Sequence, residues 1–256
     1  MGCTGGKKPR ASITPTEPSD PEAPEETDLQ QLFHSHESHM HRRVKDCYEC
    51  VFTRTTSQIT DLNLKFVNLG ADGMLMLSAV LPSFKQLVAL RLWKTRFGPE
   101  GCGSLCKALS HMSQLRLLSL EDNDIRASGM IRLSEGLRSL VNLEELYLHM
   151  NHLGPEGGEV LSSALVPLIR LKSLTVDENS LEDEAAESLI RGLVKTSSLR
   201  LLGLSFDRLT DKVGESLLKG IRSWPELKKV TLSGNTLSES VKEQLQAGSP
   251  QVAFLF

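Results

Sequence analysis

A repeat of 28 residues occupies most of this sequence and constrains its fold more than any other feature. It recurs in frame seven times without an insertion, and each unit opens with the pattern LxxLxLxxNxL. Five positions in each unit, 35 in all, are apolar, whereas an apolar content of 39% would place apolar residues at about 14 of them. Chance does not produce such a pattern. The units begin at Ile59, Leu87, Leu115, Leu143, Leu171, Leu199 and Leu227.

The spacing within a unit predicts one strand and one helix. In the second unit, Leu90 and Leu92 are two residues apart, as expected for one face of a short strand. Gly101, Leu105 and Ala108 follow at intervals of three and four, which places them on one face of a helix. Neither element can bury its apolar face alone, so the units are predicted to stack into an α/β solenoid with one continuous core.

The ninth position of the unit favours asparagine. An amide side chain at the end of a strand can bond backbone groups that the sheet leaves unpaired, so these residues are interpreted as structural. Thr95 and Asp207 can partly substitute, whereas Val67 cannot, which predicts an irregular first turn. The asparagines at this position are Asn123, Asn151, Asn179 and Asn235.

The period and the leucine and asparagine pattern resemble one known family. The opening of the third unit, LRLLSLEDNDI at residues 115–125, is similar to the ribonuclease-inhibitor-like leucine-rich-repeat family, and the resemblance extends over residues 59–237. It implies a curved horseshoe with a parallel sheet on the concave side and helices outside. Members of the family bind proteins on that surface, and they include Ran GTPase-activating proteins, NLR-type sensors and tropomodulin-like actin regulators. The resemblance therefore implies a non-catalytic scaffold that binds a protein partner.

The regions outside the repeats differ in composition. Residues 1–27 contain five of the eleven prolines and many acidic residues, so we expect a disordered segment. Residues 28–58 carry apolar residues at steps of three and four, which predicts a helical N-terminal cap. Residues 59–256 form the repeat domain, in which Val252, Phe254 and Phe256 alternate with Ala253 and Leu255 as a last edge strand.

Composition excludes several classes of function. A net charge of -3 provides no field for holding nucleic acid, and no run of 18 apolar residues predicts a membrane span. The start lacks the apolar stretch of a secretory signal, so we expect a cytoplasmic chain with reduced thiols. Five cysteines, an odd number, argue against a disulfide framework. We find no cofactor-binding motif and expect a monomer.

The binding residues are expected where the third, fifth and seventh residues of each unit point away from the core. Several of these are of types that dominate binding energies, and an acidic stripe accompanies them. That stripe predicts a basic or amphipathic protein segment as the partner. The predicted partner-binding residues are Arg91, Trp93, Glu121, Glu145, Tyr147, His149, Met150 and Asp177, with Asp122, Glu144 and Glu178 extending the acidic stripe.

A second candidate site is a cluster of zinc-binding residue types in the cap. The separation of six residues between His41 and Cys47 matches no common zinc-finger pattern, and Cys47 lies on the apolar helical stripe beside Val44 and Val51. A zinc-binding module is therefore an alternative rather than the main interpretation. The residues concerned are His34, His36, His39, His41, Cys47 and Cys50.

The first residues indicate lipid attachment. Gly2 after Met1 resembles an N-myristoylation signal, and the adjacent Cys3 is placed for palmitoylation, although Gly6 stands where Ser or Thr is preferred. Two acyl chains, or one with the basic Lys7 and Lys8, make anchoring stable. We therefore expect the protein on the cytoplasmic face of a membrane, and an unmodified start is the alternative.

A catalytic function is suggested only by analogy with other repeat proteins. No nucleophile elbow, phosphate loop or HExxH motif occurs in the sequence. A GTPase-activating repeat protein would present an arginine near the connections from strands to helices, where Arg96 and Arg208 lie. Analogy at the level of the fold is weak evidence, so the prediction is a protein that is not an enzyme.

Overall fold

The computed structural model describes residues 26–256, and its centre is one parallel sheet. The eight strands follow each other in chain order, so every strand pairs with the next one along the sequence. This confirms the predicted α/β solenoid. The strands are β1 Asp61–Asn63, β2 Ala89–Arg91, β3 Leu117–Ser119, β4 Glu145–Tyr147, β5 Ser173–Thr175, β6 Leu201–Gly203, β7 Lys229–Thr231 and β8 Ala253–Leu255.

Helices form a second layer beside this sheet. Two of them precede the first strand, and one follows each strand from β1 to β7. Short 3-10 helices span Thr56–Gln58 and Leu81–Ser83. The helices are α1 Glu26–His36, α2 Arg42–Phe52, α3 Gly70–Val80, α4 Gly98–Leu109, α5 Arg126–Arg138, α6 Gly154–Leu165, α7 Glu182–Gly192, α8 Lys212–Ile221 and α9 Glu239–Gly248.

The core runs between the two layers as a single apolar cluster. The central residue of each inner strand is buried, and so is the helical leucine that the repeat places eighteen residues after each start. Leu118 and Leu133 of the third unit are both fully buried. At about 1.5–3 kcal/mol for each buried leucine side chain, this repeated interior is the main source of stability.

Strand pairing follows the repeat without a slip. Leu90 lies opposite Leu118, and Leu118 opposite Leu146, so partners are one period apart. Small residues allow neighbouring helices to approach closely. A Cβ atom on Gly136 would lie 2.7 Å from the carbonyl oxygen of Cys106, and one on Gly192 would lie 2.6 Å from that of Ser162. The register and these contacts keep consecutive units parallel.

The asparagines at the ninth position form a buried ladder, which we call the asparagine ladder (Asn123, Asn151, Asn179 and Asn235). The Oδ1 atom of Asn151 accepts from the backbone nitrogen of Asn123 at 3.0 Å, and the backbone nitrogen of Asn151 donates to Asn179 Oδ1 at 3.0 Å. The amide nitrogen of Asn151 donates to the carbonyl oxygens of Leu120 and Leu148. The structural role predicted for these residues is thus confirmed.

The departures from asparagine behave as the sequence predicts. Asp207 accepts from the backbone nitrogen of Asn179 at 2.8 Å, and the hydroxyl of Thr95 donates to the carbonyl oxygen of Leu92 at 2.9 Å. The first turn is irregular, because Phe66 and Gly70 have positive φ whereas Asn68 does not. The second unit has positive φ at all three equivalent positions, from Lys94 to Gly98.

Both ends of the sheet are covered. Helix α2 packs against α3, where the hydroxyl of Tyr48 donates to the carbonyl oxygen of Met76 at 3.1 Å. Strand β8 pairs with β7 in parallel, at the place where the sequence predicts a last edge strand. The rings of Phe254 and Phe256 stack there with centroids 5.8 Å apart. These end elements shield the apolar interior from solvent.

The connections between strands and helices lie along two edges of the sheet. The strand-exit edge comprises the connections from strands to helices, and the strand-entry edge those from helices to strands. The strand-exit edge is residues 64–69, 92–97, 120–125, 148–153, 176–181, 204–211 and 232–238, and the strand-entry edge is residues 81–88, 110–116, 139–144, 166–172, 193–200, 222–228 and 249–252.

Candidate functional site

The fold places the predicted binding residues in rows on the concave face. Because the central apolar residue of each strand points into the core, its two neighbours point to the opposite side of the sheet. Strand pairing then aligns Arg91, Ser119, Tyr147 and Thr175 in one row across β2 to β5. Parallel strands lie ~4.8 Å apart, so side chains from neighbouring strands in such a row are close to each other.

These rows enclose a depression of about 410 Å³. Five of the eight predicted partner-binding residues line it, and the other three lie outside its lining. Glu145 lies on β4, Met150 lies at the strand-exit edge, and Trp93 lies just after β2. The lining residues are Lys65, Arg91, Ser119, Glu121, Tyr147, His149, Thr175 and Asp177.

An aromatic cluster lies at one side of the depression and centres on Trp93. The ring of Phe66 lies 4.9 Å from that of Trp93, and the ring of His149 lies 6.1 Å from it. Lys65 Nζ lies 5.3 Å from the centre of the tryptophan ring, within the range of a cation–π contact. Among residues 26–256 the indole Nε1 has no hydrogen-bond partner, and it is buried from solvent. Because this nitrogen is closed to solvent, a partner would contact the rings of the cluster rather than the indole N–H.

Phe66 is part of this cluster but was not among the predicted binding residues. Its side chain is 63% exposed, and its backbone has a φ of 63°. A large apolar residue in the left-handed region is unusual. An aromatic residue at the eighth position of a unit is the sequence signal that could have identified it.

The acidic stripe is less exposed than predicted. Glu121 points away from the core as predicted, but it is only 6% exposed and accepts a short hydrogen bond from the hydroxyl of Ser119. Ser119 at the fifth position is likewise buried, as is Ala89 at a third position.

Asp177 is held by its own chain. One carboxylate oxygen accepts from the backbone nitrogen of Ser205 at 2.8 Å and from the hydroxyl of Thr231 at 2.7 Å. Its other oxygen occupies the space that the absent side chain of Gly203 leaves, because a Cβ atom there would lie 2.2 Å away. Asp177 therefore joins three consecutive units, and its charge still lies at the wall of the depression.

Hydrogen bonds also orient the remaining polar groups. The hydroxyl of Tyr147 donates to Glu145 at 2.5 Å, and burial together with this carboxylate raises the pKa of Tyr147. The hydroxyl thus stays protonated. Arg91 Nε donates to both carboxylate oxygens of Asp61, at 3.2 and 3.3 Å. The depression is a pre-arranged polar surface beside an aromatic cluster.

The zinc-ligand types in the cap do not converge. His34 bonds the carbonyl oxygen of Gln30, and His41 caps helix α2 by accepting from the backbone nitrogen of Arg43. Burial raises the pKa of Cys47 to about 12, which disfavours the thiolate that zinc requires. Within residues 26–256, no group of three or more His, Cys, Asp or Glu side chains is placed to hold a metal ion.

His36, His39 and Cys50 have other surroundings. Together with His41, the two histidines line a cavity of about 360 Å³ with Asn68 and Asp72, where the cap meets the first unit. Cys50 is partly buried on α2.

The arginines of the catalytic alternative both lie at the strand-exit edge. Arg208 pairs with Glu182 at 3.9 Å, and the backbone nitrogen of Arg96 donates to Asn123. The lipidation candidates Gly2 and Cys3 lie outside the described residues. In the part of the chain that the structure describes, no helix is long and apolar enough to cross a bilayer.

One of three comparisons with known proteins agrees with the repeat. A family model described as Leucine Rich repeat matches residues 139–162. Among solved structures, internalin C2 from Listeria monocytogenes is similar, with 17% sequence identity, coverage of 78% of this chain and 83% of that chain, and a TM-score of 0.44. A comparison with curated protein sequences gave no match. The matched residues include β4 and most of α6, so the family model agrees with the repeat at the fourth unit.

Proposed function

We propose that the chain is a non-catalytic adaptor that binds a protein partner in the concave depression. The observation that carries the proposal is the contact between the rings of Trp93 and exposed Phe66 at the side of the depression. Tryptophan, tyrosine and arginine side chains dominate the binding energy of many interfaces, and Arg91 and Tyr147 complete this set. The regular 28-residue units of strand and helix further support the ribonuclease-inhibitor-like class.

The partner is a basic or amphipathic segment of a protein. Glu121, Asp177 and Glu145 bring negative charge to the floor and rim of the depression, and a basic segment would complement it. The rows extend over seven strands at ~4.8 Å spacing, which is wide enough for a helix. The aromatic cluster would receive the apolar face of such a helix.

The adaptor is tethered to the cytoplasmic face of a membrane. Gly2 and Cys3 would carry the acyl chains, and Lys7 and Lys8 would add attraction to anionic lipids. We expect Gly2→Ala to release the protein from the membrane fraction of cells. Unchanged fractionation of this variant would overturn the tether without affecting the proposal for the concave depression.

Selection from a random peptide display library tests the depression. We expect peptides selected by the full chain to be rich in Lys and Arg. Trp93→Ala and Tyr147→Ala should weaken their binding by about tenfold or more while changing the melting temperature little. Ile131→Ala, on the exposed outer face of α5, is the matched control and should bind like the wild type. Wild-type affinity in both concave variants would refute the proposed site.

A further inference from the structure

The strand-entry edge carries exposed aliphatic side chains in three consecutive units. A repeat protein normally exposes polar residues in its connections, and single exposed apolar residues need no explanation. Here Val141 and Ile169 occupy equivalent positions one period apart, and so do Val166 and Val194. Their exposed fractions are 49% for Val141, 47% for Val166, 54% for Ile169 and 48% for Val194.

The fold does not demand aliphatic residues at these positions. In the second unit the same two positions are Ser110 and Ser113, and in the sixth they are Arg222 and Pro225. The aliphatic side chains are therefore a feature of the third to fifth units rather than of the repeat. The exposed surface of these side chains does not pack in the core.

Hydrogen bonds hold these connections in register. The amide of Asn142 donates to the carbonyl oxygen of Ser113 at 2.9 Å and accepts from Arg170 at 2.8 Å. The hydroxyl of Ser198 donates to the carbonyl oxygen of Leu171 at 3.0 Å. Neighbouring connections are thus tied together into a ridge, which presents the aliphatic side chains on a fixed support.

This ridge is also basic, although the whole chain has a net charge of -3. The strand-entry edge contains eight Lys or Arg residues and only two acidic ones, Glu144 and Glu226. Arg116 and Lys172 pair with Glu144, and Arg200 pairs with Glu226. The eight basic residues are Lys85, Arg116, Arg170, Lys172, Lys195, Arg200, Arg222 and Lys228.

Helix dipoles do not account for Arg170 and Lys195. Cations are favoured in the last turn of a helix, where Arg138 and Arg191 lie. Arg170 and Lys195 instead lie beyond the last residues of α6 and α7, beside the exposed aliphatic side chains. Within the part of the chain that the structure describes, neither of them pairs with a carboxylate.

We propose that the ridge formed by Val141, Val166, Ile169 and Val194, with Arg170 and Lys195, docks onto an anionic phospholipid bilayer. Peripheral proteins bind membranes through cations that are attracted to acidic headgroups, together with neighbouring aliphatic side chains that enter the interface. A nucleic acid would be complementary to the charge but would not use the exposed aliphatic surface.

Docking in this way would orient the whole molecule. The opposite, strand-exit edge carries more acidic than basic residues and would be repelled by the same bilayer. With the strand-entry edge on the membrane, the sheet stands away from the lipid and its concave face stays open. The ridge is independent of the acyl tether, and it leaves the depression accessible to the proposed partner.

Vesicle sedimentation of the full, non-acylated chain tests the proposal. We expect the chain to sediment with vesicles that contain phosphatidylserine and not with phosphatidylcholine vesicles. Val166→Asp with Ile169→Asp, and separately Arg170→Glu with Lys195→Glu, should each reduce binding by about tenfold or more. These side chains are exposed, so circular dichroism should show that both variants are folded.

Two control variants match the changes elsewhere on the surface. Lys94→Glu with Arg208→Glu alters the same charge at the strand-exit edge, and Ile131→Asp alters an equally exposed aliphatic residue on α5. Both should bind vesicles like the wild type. Ile169→Trp adds a reporter whose fluorescence should shift to shorter wavelength with anionic vesicles.

Three results would overturn the proposal. One is equal binding to neutral and anionic vesicles, and another is unchanged binding by the Val166 and Ile169 variant. The third is preferential binding of duplex DNA or RNA that the aspartate substitutions do not affect, which would make the ridge a nucleic-acid site. None of these outcomes bears on peptide binding in the depression, so the two proposals fail separately.

Discussion

The strand-exit and strand-entry edges of the sheet differ in backbone conformation. At the strand-exit edge, eleven non-glycine residues have a left-handed backbone, whereas no residue of the strand-entry edge has one. Each such residue costs roughly 1–2 kcal/mol, so this turn persists only because other interactions enforce it. The asparagine ladder supplies those interactions with hydrogen bonds between consecutive units. The backbone thus dictates much of what the strand-exit edge can contain.

The same two edges also differ in charge. The strand-exit connections contain seven acidic and four basic residues, the reverse of the balance at the strand-entry edge. Helix N-termini lie at the strand-exit edge, where acidic residues complement the helix dipole, as Glu182, Asp183 and Glu184 do for α7. Because the strand-entry backbone makes no comparable demand, its exposed aliphatic and basic side chains are the more informative about binding.

Of the substitutions considered, removal of an amide of the asparagine ladder should lower the free energy of unfolding most. Asn151→Ala leaves the backbone nitrogen of Asn123 without its partner and removes one of the two amide donors to each of the carbonyl oxygens of Leu120 and Leu148. We expect a loss of roughly 2–4 kcal/mol in the free energy of unfolding, measured with urea. Asn142→Ala, at the strand-entry edge, is the matched control and should cost less than about 1 kcal/mol. Equal losses would mean that the ladder does not dominate.

Asp207, which takes the ninth position of the sixth unit, should make the stability of the protein depend on pH. Within residues 26–256, its Oδ2 atom is buried without a hydrogen-bond partner, and burial raises the pKa of Asp207 to about 7. Since the folded pKa lies above the unfolded value of about 3.9, stability contributed by the protonated form is lost as pH rises from about 4 to 7. An amide at this position would supply the missing donor at any pH.

Asp207→Asn should therefore stabilise the protein by roughly 1–3 kcal/mol at pH 8. The gain should shrink towards pH 4, because the wild-type carboxyl is then protonated. Urea unfolding of both proteins between pH 4 and pH 8 measures this difference. A gain that is independent of pH would show that Asp207 is ionised throughout the range.

The repeat predicts the fold well because every unit packs side chains from the same positions into the core. Leu118 and Leu133 lie in the core as their spacing implies, and the asparagine at position nine serves the same purpose in each unit that has it. Strand register follows from the period itself, since equivalent residues pair across units. A single-residue slip would move the apolar set to the other face of the sheet.

The site was only partly predictable, because it depends on contacts between different units. The period indicates that Glu121 and Asp177 point away from the core, but it does not show that Ser119 and Thr231 bond them. Phe66 reaches Trp93 of the next unit through a backbone turn that sequence spacing does not reveal. The aliphatic ridge is likewise visible only after Val166 and Ile169 are placed on one edge.

The smallest predicted changes in unfolding free energy come from substitutions at the two ends of helix α7. Asp183, in its first turn, accepts from the backbone nitrogen of Thr210 at 2.7 Å and from its hydroxyl at 2.6 Å. Asp183→Asn should cost about 0.5–1 kcal/mol in unfolding free energy at low salt. Lys195→Gln, just beyond the other end, should change it by less than about 0.3 kcal/mol. Lys195 would then be dispensable for the fold and free for lipid headgroups, whereas a loss equal to that of Asp183→Asn would make it a helix stabiliser and weaken the case for docking.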